Sequence, residues 1–401
     1  MTTEVLIVGG GPAGLAAAIA LRQRGASVTV VDAMTPPIDK TCGEGLMPDS
    51  LRELAQLGID LSAEDGATFR GIRFVNHRIG CDGTSGTRHN IDMATARFPS
   101  QESASQTGIG LRRHLLHDRL VERAEETGVV LRWQSPVQLK ADGHVLIGGE
   151  PAQYRWLIGA DGHGSRVRSW AGLERGSILS RRVGFRQHFR VEPWSPYVEV
   201  HWGKTGQAYV TPVGPNEVCV ATIARGSHFR LEAMMAEVPM LARKLAGCRV
   251  TDAVPVDRER GAVTTTRRLE RVVRGKVILI GDASGSADAI TGEGMGMAFR
   301  QALLLAECLE AGKPERYNRL HPDILQLPHT MARLMLLMDR SEVFRNRALH
   351  MLSSEPTLFT RMLGVHLGSE SLLGFIASRG LEVAWRMAVQ SHSEQAHAAA
   401  A

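Results

Sequence analysis

"EVLIVGGGPAGLAAAIALRQRGASVTVVDA", Glu4 to Ala33, is the stretch that decides the fold. An apolar strand runs into a glycine-rich turn, an Ala- and Leu-rich helix follows to Arg24, and a second strand ends at Asp32. This order and the G-x-G-x-x-G spacing are typical of a dinucleotide-binding βαβ unit, in which the helix N-terminus faces phosphates. The binding residues that it predicts are Gly9, Gly11, Pro12, Ala13, Gly14 and Asp32.

Each residue of this motif has a physical role. Gly9 permits the tight turn, Gly11 lets the backbone approach a pyrophosphate, and Gly14 lets the helix pack closely on the strand. The carboxylate of Asp32 accepts hydrogen bonds from ribose hydroxyls and disfavours a 2′-phosphate. The motif predicts nucleotide binding but does not separate NAD from FAD.

Composition limits the function classes. The chain has 401 residues, 43% hydrophobic and 22% charged, which is ordinary for a globular protein of two or three domains. A net charge of +5 with dispersed Lys and Arg disfavours nucleic-acid binding. The sequence has neither a signal peptide nor an apolar run of membrane-spanning length, so we expect a cytoplasmic protein.

The cysteines argue against a disulfide framework and a metal site. They are scattered, odd in number and without C-x-x-C spacing: Cys42, Cys81, Cys219, Cys248 and Cys308. We therefore expect a reduced protein that binds no metal ion.

Two later strands also end in acid-glycine turns. One lies in "LIGADGHGSRVR", Leu157 to Arg168, and the other in "VILIGDASGSADAITGEGMGMA", Val277 to Ala298. Together with the first motif they resemble the FAD-binding flavoproteins of the aromatic-hydroxylase and geranylgeranyl-reductase superfamily, up to about Glu310. The resemblance implies noncovalent FAD, with Asp282 on the ribityl chain. It implies further cofactor contacts at Asp161, Gly162, Gly292, Gly294, Met295 and Gly296.

A helical segment, "GLRRHLLHDRLVERAEETGV", carries the pattern R-x-x-L-x-x-x-L from Arg113. The resemblance places Arg113 against FAD, with Arg112 as its solvated neighbour. The alternative is an ordinary amphipathic helix with surface arginines.

The segment "DKTCGEGLMPDSLRELAQLGI", Asp39 to Ile59, resembles the K-x-C-G-G-G loop that lies over the flavin in geranylgeranyl reductases. Glu44 replaces a glycine of that loop, and Asp49 or Ser50 is expected to cap the following helix. Cys42 is either a reactive thiol or a small buried residue, and we favour the second. The cofactor contacts implied here are Lys40, Cys42, Gly43, Gly45 and Leu46.

Strand-like runs between Arg182 and Ile223 predict a sheet between the second and third motifs. Halogenases of the superfamily carry W-x-W-x-I-P there and prenyl reductases carry Y-x-W-x-F-P, whereas this chain reads "QAYVTP" from Gln207. Three residues of this region are substrate-pocket candidates: Tyr209, His201 and Trp202. Strand alternation puts the last two on opposite faces, and plain sheet packing is the favoured explanation for each.

After Ala302 the chain is predicted to be helical, with Leu and Met at helical spacing. The favoured explanation is a cap on the FAD domain. The alternative is that Leu334, Met335, Leu337 and Met338 line a flexible apolar tunnel for a long-chain substrate or contact a membrane surface. Of these, Leu334 and Met338 are the pocket candidates that we retain.

The predicted fold class is α/β: a Rossmann-like FAD-binding domain with three-layer ββα architecture, an inserted, mostly antiparallel substrate sheet, and a C-terminal helical region. The predicted boundaries are 1–75, 105–180 and 262–315 for the FAD domain and 76–104 with 181–261 for the sheet. Residues 316–390 form the helical region and 391–401 a disordered tail.

The predicted activity is an FAD-dependent, NAD(P)H-using monooxygenase that hydroxylates an apolar aromatic or lipid-like polyketide substrate. One alternative is reduction of isoprenoid double bonds, and another is a flavin-containing binding protein without turnover. The sequence has no second G-x-G-x-x-G unit, so NAD(P)H is expected to bind only transiently. Side chains with a catalytic role, the substrate and the oligomeric state do not follow from the sequence, and peripheral membrane contact stays open.

Overall fold

The structure of the protein is a computed structural model that describes residues 2–82, 86–99, 106–226, 230–246, 259–378 and 380. Cys248 and the predicted tail, 391–401, lie outside the described residues.

The strands, in chain order, are β1 (Thr2–Val8), β2 (Val28–Val31), β3 (Gly45–Leu46), β4 (Ala67–Phe69), β5 (Gly71–Asp82), β6 (Gly86–Arg97), β7 (Gly108–Gly110), β8 (Val130–Arg132), β9 (Val137–Leu139), β10 (Val145–Ile147), β11 (Glu150–Pro151), β12 (Gln153–Gly159), β13 (Gly176–Phe189), β14 (Val198–Trp202), β15 (Gly206–Gly214), β16 (Glu217–Ala224), β17 (Arg260–Leu269), β18 (Val273–Arg274) and β19 (Val277–Leu279).

The helices are α1 (Pro12–Arg22), α2 (Pro48–Gln56), α3 (Arg113–Glu126), α4 (Arg166–Trp170), α5 (Leu231–Glu237), α6 (Pro239–Leu245), α7 (Gly294–Glu310), α8 (Pro314–Arg340), α9 (Glu342–Ser354) and α10 (Pro356–His366).

The nucleotide-binding sheet has the strand order β18-β19-β12-β1-β2-β8. The apolar strand β1 lies at its centre, paired in parallel with β12 and β2. The small residues Ala16, Ala17, Ala18 and Ala20 of α1 are fully buried, which lets this helix pack closely between the sheet, α3 and α7. The three-stranded sheet β9-β10-β11 joins the same core through Val145 and Ile147. The predicted Rossmann-like, three-layer domain is confirmed.

The second large sheet has the order β17-β13-β16-β15-β14-β5-β6, and only the pairing of β14 with β5 is parallel among the described strands. The predicted, mostly antiparallel sheet is thus present. Its strands extend past the predicted limits, since β5 begins at Gly71 and β17 runs from Arg260 to Leu269. The register aligns Tyr209 of β15, Val200 of β14 and Phe74 of β5 in one row across the sheet.

The C-terminal helices α8, α9 and α10 cover one face of this sheet. Leu349 and Leu363 share a buried core with Phe74, Val200 and Trp202. The predicted helical region is therefore confirmed, and it packs on the substrate sheet as well as on the FAD domain. None of the helices in the described part of the chain combines the length and the hydropathy that a membrane span needs.

Candidate active site

The glycine-rich loop after β1 has the geometry of a phosphate cradle. Gly9 has a φ of +113°, and a Cβ there would overlap with the carbonyl oxygen of Ala160. A Cβ on Gly14 would overlap with the carbonyl oxygen of Gly9, so the first turn of α1 packs against the loop itself. Gly11, by contrast, faces open space at the N-terminus of α1. That space and the free helix N–H groups suit a pyrophosphate.

Asp32 holds this loop in place. Its Oδ2 accepts the N–H of Gly10 at 2.6 Å and its Oδ1 accepts the N–H of Met34 at 2.8 Å. A carboxylate has about four lone-pair sites, so it can hold the loop and still accept a ribose hydroxyl. Buried His117 contacts the carbonyl oxygen of Gly10 through Nε2 at 2.8 Å, a support for the loop that the sequence analysis missed.

The second motif is a helix cap. The carboxylate of Asp161 accepts the hydroxyl of Ser165 at 2.5 Å and the N–H groups of Arg166 and Val167 at 2.7 and 3.1 Å. Asp161 therefore shapes the start of α4, next to Gly162 with its φ of +78°.

Buried Arg168 links the second motif to the third, a role that the sequence analysis missed. It donates to the carbonyl oxygens of His163, at 2.9 Å, and Ala283, at 3.1 Å. One guanidinium therefore connects the two turns and helps to fix their relative position.

The third motif places Asp282 beside His163. Nε2 of His163 accepts the N–H of Thr265 at 2.5 Å, which leaves Nδ1 to carry the proton that faces Asp282 Oδ2 at 3.5 Å. Neighbouring protein atoms partly desolvate the carboxylate of Asp282, which by itself would raise its pKa. The hydrogen bond and charge of His163, with the charges of Lys40 and Arg113, outweigh this desolvation, so the pKa of Asp282 is lowered. The carboxylate stays ionised and 54% exposed, ready to accept hydrogen bonds from a ligand.

The first turn of α7 divides the predicted flavin contacts into two groups. Gly292, with a φ of +72°, and Gly294 face open space. A Cβ on Gly296 would crowd the hydroxyl of Ser50, so Gly296 packs helix α7 on α2, and Met295 is half-buried against the core. Of these positions, Gly292 and Gly294 have room for a ligand.

Arg113 begins α3 close to these loops. Its Nε is buried and makes no hydrogen bond among the described residues. This unpaired donor, the space at Gly11 and Gly294, and the exposed Asp282 together fit FAD, whose phosphates and hydroxyls would supply the missing partners. The prediction for Arg112 is wrong, because this residue is paired with Glu217 of β16 at 2.5 Å instead of being solvated.

Glu44 anchors the loop between Asp39 and Leu46. Its backbone has a φ of +60°, the left-handed region in which the related loops carry glycine. Its carboxylate is fully buried and accepts from Arg186 Nη1 at 2.6 Å, His188 Nε2 at 2.7 Å and the N–H of Arg113 at 3.0 Å. The ion network compensates for the unfavourable backbone conformation and fixes the loop on the substrate sheet.

The neighbours of Glu44 favour the ionised form of its carboxyl group. Burial disfavours it, but the hydrogen bond and charge of His188 and the charge of Arg186 outweigh burial and lower the pKa of Glu44. Glu44, His188 and Cys219 lie close enough together to resemble a metal site. The guanidinium of Arg186 occupies the position beside the carboxylate, and burial raises the pKa of the Cys219 thiol, so the donor set suits an internal ion pair better than a cation.

A large apolar cavity lies between the cofactor loops, the substrate sheet and the C-terminal helices. It encloses about 1070 Å³ of empty space, part of it open to solvent. Its wall consists of Cys42, Gly43, Glu44, Gly45, Met47, Phe69, Ile72, Phe74, Val198, Val200, Tyr209, Thr211, Ile290, Thr291, Gly292, Met331, Leu334, Met335, Met338, Leu352, Phe359, Met362, Leu363 and His366. The loops with Cys42 and Gly292 form its cofactor end.

The cavity separates the substrate-pocket candidates. Tyr209, Leu334 and Met338 line it, and the Tyr209 hydroxyl donates to the carbonyl oxygen of Ile290 at 2.7 Å. His201 and Trp202 do not. The opposite sheet face carries His201, which contacts Glu199 and His77, while Trp202 packs edge-on against Phe74 and is fully buried.

Of the four residues in the alternative for α8, Leu337 does not line the cavity and is 53% exposed. The prediction for the N-cap of the helix after Leu46 is wrong. Helix α2 begins at Pro48, and its N-cap is Met47, not Asp49 or Ser50. Asp49 lies inside the first turn, where its buried carboxylate pairs with Arg300 at 3.6 Å.

Asp282→Ala should weaken FAD binding by about 1.5–3 kcal/mol, roughly 10- to 150-fold, because it removes a charged hydrogen-bond acceptor. A fluorescence titration of the folded apoprotein with FAD measures the change. Asp142→Ala, in an exposed turn, is the control. Equal affinity of the Asp282 variant and the wild-type protein would refute the assignment of this carboxylate.

Comparison with known proteins agrees with this geometry. Residues 2–316 match the family described as FAD binding domain. The chain is 29% identical over 355 residues to a menaquinone reductase of Mycolicibacterium smegmatis, covering 80% of each chain. It is 26% identical over 365 residues to an FAD-dependent urate hydroxylase of Klebsiella pneumoniae, covering 80% of this chain and 88% of the relative. A flavoprotein/dehydrogenase structure from Cytophaga hutchinsonii superposes with a TM-score of 0.76 at 16% identity, covering 98% of this chain and 100% of the other.

Proposed function

The chain belongs to the FAD binding domain family, and on that premise we propose that it is an NAD(P)H-using monooxygenase that hydroxylates a long, apolar, aromatic or lipid-like polyketide substrate. The observation that carries the proposal is the cavity. Its wall is almost entirely apolar, with Met side chains at the start of α2 and on the C-terminal helices, such as Met47, Met335 and Met362. Flexible thioethers adapt to irregular alkyl groups.

The shape of the cavity supports a substrate whose two ends differ chemically. The loops at Cys42–Gly45 and Ile290–Gly292 border one end of it, and the same loops adjoin the predicted flavin contacts. An aromatic head group there would lie next to the cofactor, while the apolar chain would extend between the substrate sheet and α8 to α10. Burial of such a chain excludes water from the reacting end.

The chemical step belongs to the cofactor: bound FAD supplies electron transfer from NAD(P)H and the reaction with O₂. The protein holds the cofactor through the cradle at Gly11, the exposed carboxylate of Asp282 and the unpaired donor of Arg113. Glu44 holds the loop that contains Cys42 in position through its hydrogen bonds with Arg186 and His188.

A labelled-oxygen assay tests the reaction. The FAD-loaded protein, NAD(P)H and an alkyl-resorcinol series are incubated under ¹⁸O₂, and the molecular masses of the products are measured by mass spectrometry. We expect one labelled oxygen atom per product and NAD(P)H oxidation that the substrate accelerates. Substrate-independent NAD(P)H oxidation with unchanged substrate would refute the monooxygenase.

Reduction of an isoprenoid double bond is the second candidate. The specific observation in its favour is that the loop resembling that of geranylgeranyl reductases, Cys42 to Gly45, lines the cavity directly. The similarity to a menaquinone reductase over 80% of each chain supports it too. Anaerobic incubation with a polyprenyl alcohol, which has no quinone ring to reduce, separates the candidates, because reduction adds two hydrogen atoms to a double bond of the chain and needs no O₂.

Met338→Gln should raise the KM for long-chain substrates more than for short-chain analogues. Met338 is buried in the cavity wall, so a polar group of similar shape would lie against the alkyl chain. We expect an increase of about tenfold for the longest chains, since burying an unpaired amide costs about 1–3 kcal/mol.

Leu337→Gln is the matched control, because this neighbour on α8 is exposed and does not line the cavity. Its KM values should equal those of the wild-type protein. An equal loss for short and long substrates in Met338→Gln, together with a lower Tm, would mean that Met338 serves packing alone.

A further inference from the structure

Both candidate reactions consume a proton inside an apolar cavity. Hydroxylation follows RH + O₂ + NAD(P)H + H⁺ → ROH + H₂O + NAD(P)⁺, in which one oxygen atom leaves as water. Reduction follows R₂C=CR₂ + NAD(P)H + H⁺ → R₂CH–CHR₂ + NAD(P)⁺. The following inference rests on the proposed function but holds for either reaction, since each needs a proton donor in the cavity wall.

Most ionisable residues of the wall are poor donors. Glu44 is kept ionised by Arg186 and His188, so it carries no proton to give. The hydroxyl of Tyr209 donates to the carbonyl oxygen of Ile290, and burial raises its pKa. The sulfur of Cys42 accepts the N–H of Glu44 at 3.4 Å. The remaining group is His366, the last residue of α10.

His366 connects the cavity with a buried carboxyl group behind it. Its Nε2 lies 3.6 Å from Oε1 of Glu293, whose side chain is only 1% exposed. Glu293 precedes α7 and belongs to the loop at the cofactor end of the cavity, next to the wall residues Thr291 and Gly292. Neither oxygen of Glu293 makes a hydrogen bond of ordinary geometry with the part of the chain that is described.

The neighbours of Glu293 favour its protonated form. Burial raises the pKa of Glu293 to about 8; Asp49 of α2 adds to this rise, while Arg300 of α7 and Thr291 oppose it. Burial lowers the pKa of His366 to about 4. At neutral pH the pair therefore holds a carboxylic acid beside a neutral imidazole.

The same cluster extends towards solvent on a side other than the cavity. Glu53 of α2 lies 3.6 Å from Arg300, and burial raises the pKa of Glu53 to about 8, with Arg300 and Arg52 opposing the rise. Arg300 is 27% exposed, whereas Glu293 is nearly inaccessible. Neither Glu53 nor Arg300 lines the apolar cavity.

We propose that Glu293 stores a proton and delivers it through His366 to the substrate side of the cavity. The O–H bond of Glu293 breaks as Nε2 of His366 takes the proton, and the other ring nitrogen releases one into the cavity. That proton goes to the oxygen that leaves as water in hydroxylation, or to carbon in reduction. Glu293 is then reprotonated from the side of Glu53 and Arg300.

Glu293→Gln tests the relay, because it keeps the shape and removes the transferable proton. We expect turnover to fall by roughly 10²-fold, the usual contribution of a positioned acid. Wild-type kcat should decline as the pH rises through about 8, and this decline should be absent in the variant. Glu307→Gln, on the exposed side of the same helix, should match the wild-type protein.

Two readouts do not depend on turnover. Infrared spectra at neutral pH should show the bands of two protonated carboxyl groups, those of Glu293 and Glu53, and Glu293→Gln should lose one band and keep the other. The raised pKa also costs stability as the pH rises from the unfolded value towards about 8, because the unfolded chain releases the proton first. As the pH rises over this range, the Tm of Glu293→Gln should therefore increase relative to the Tm of the wild-type protein.

The outcomes separate the relay from the proposed function. Unchanged turnover and an unchanged pH profile in Glu293→Gln would overturn the relay. The relay would also be overturned if the decline of kcat near pH 8 disappeared in Cys42→Ala but persisted in Glu293→Gln. His366→Asn replaces the test if Glu293→Gln does not fold, and its kcat must fall without loss of FAD. A wild-type protein that turns over no substrate refutes the proposed function, while the infrared band still reports on Glu293.

Discussion

Arg186→Met should lower the free energy of unfolding by about 3–5 kcal/mol, the usual cost of removing one partner from a buried ion pair. The guanidinium is 1% exposed and bonds to Asp39 and Glu44, whose side chains are 7% and 0% exposed. Without it, Glu44 keeps only His188 and one backbone N–H, in a backbone conformation that already costs energy. Urea unfolding at neutral pH measures the loss.

The pH dependence identifies the cause of this loss. In the wild-type protein the pKa of Glu44 is lowered, so its contribution to stability is present above the unfolded pKa and disappears as the pH falls through the folded pKa. In Arg186→Met that contribution is missing. The difference in unfolding free energy between the two proteins should therefore be largest at neutral pH and shrink below about pH 4, where unfolded carboxyl groups take up protons.

The control is Arg119→Met, which removes an ion pair from the surface. Arg119 is 53% exposed and bonds to Asp65, so solvent screens the pair and its loss should change stability far less than the loss of Arg186. A loss for Arg186→Met that is as small, or that does not vary with pH, would show that the Glu44 network does not stabilise the loop.

The sequence predicts the FAD-binding half of the fold because its information is local. Strand, glycine turn, helix and second strand follow one another from Glu4 to Ala33, and Gly14 meets the carbonyl oxygen of Gly9 within that unit. The Glu44 network is the opposite case. Its partners, Arg186 and His188, lie in β13, and their local signal is no more than two basic residues on alternate positions of a strand that carries other polar residues as well.

The cavity shows the same limit. Helical spacing correctly grouped Leu334 with Met338, but spacing alone does not show whether their face meets a cavity or only the core. Strand alternation separated His201 from Trp202, yet the cavity face depends on register between β14, β15 and β5. Pairing of distant strands decides that Tyr209 lies at the cavity and that Trp202 lies beyond its wall.

Phe359→Ala should shift the preference of the enzyme towards longer chains. Tyr209, Val200 and Phe74 lie in one row across three neighbouring strands, which places Phe74 about 10 Å from Tyr209 and the cofactor loops. Phe359 of α10 contacts Phe74 with ring centroids 4.8 Å apart, so the two rings close the far end of the cavity. Each further methylene that the opened end accepts should lower the KM about fourfold, since its burial contributes about 0.8 kcal/mol.

A chain-length series measured beside Tm values decides whether Phe359 acts as this stop. Phe98→Ala is the matched control, because Phe98 is as buried as Phe359 and packs on Phe69 but does not line the cavity. Both variants should lose stability by a few kcal/mol, about the cost of removing a buried phenyl ring. Only Phe359→Ala should move the optimum, while a shared loss of activity at every chain length would mean that the rings stabilise the helix–sheet interface and do not measure the substrate.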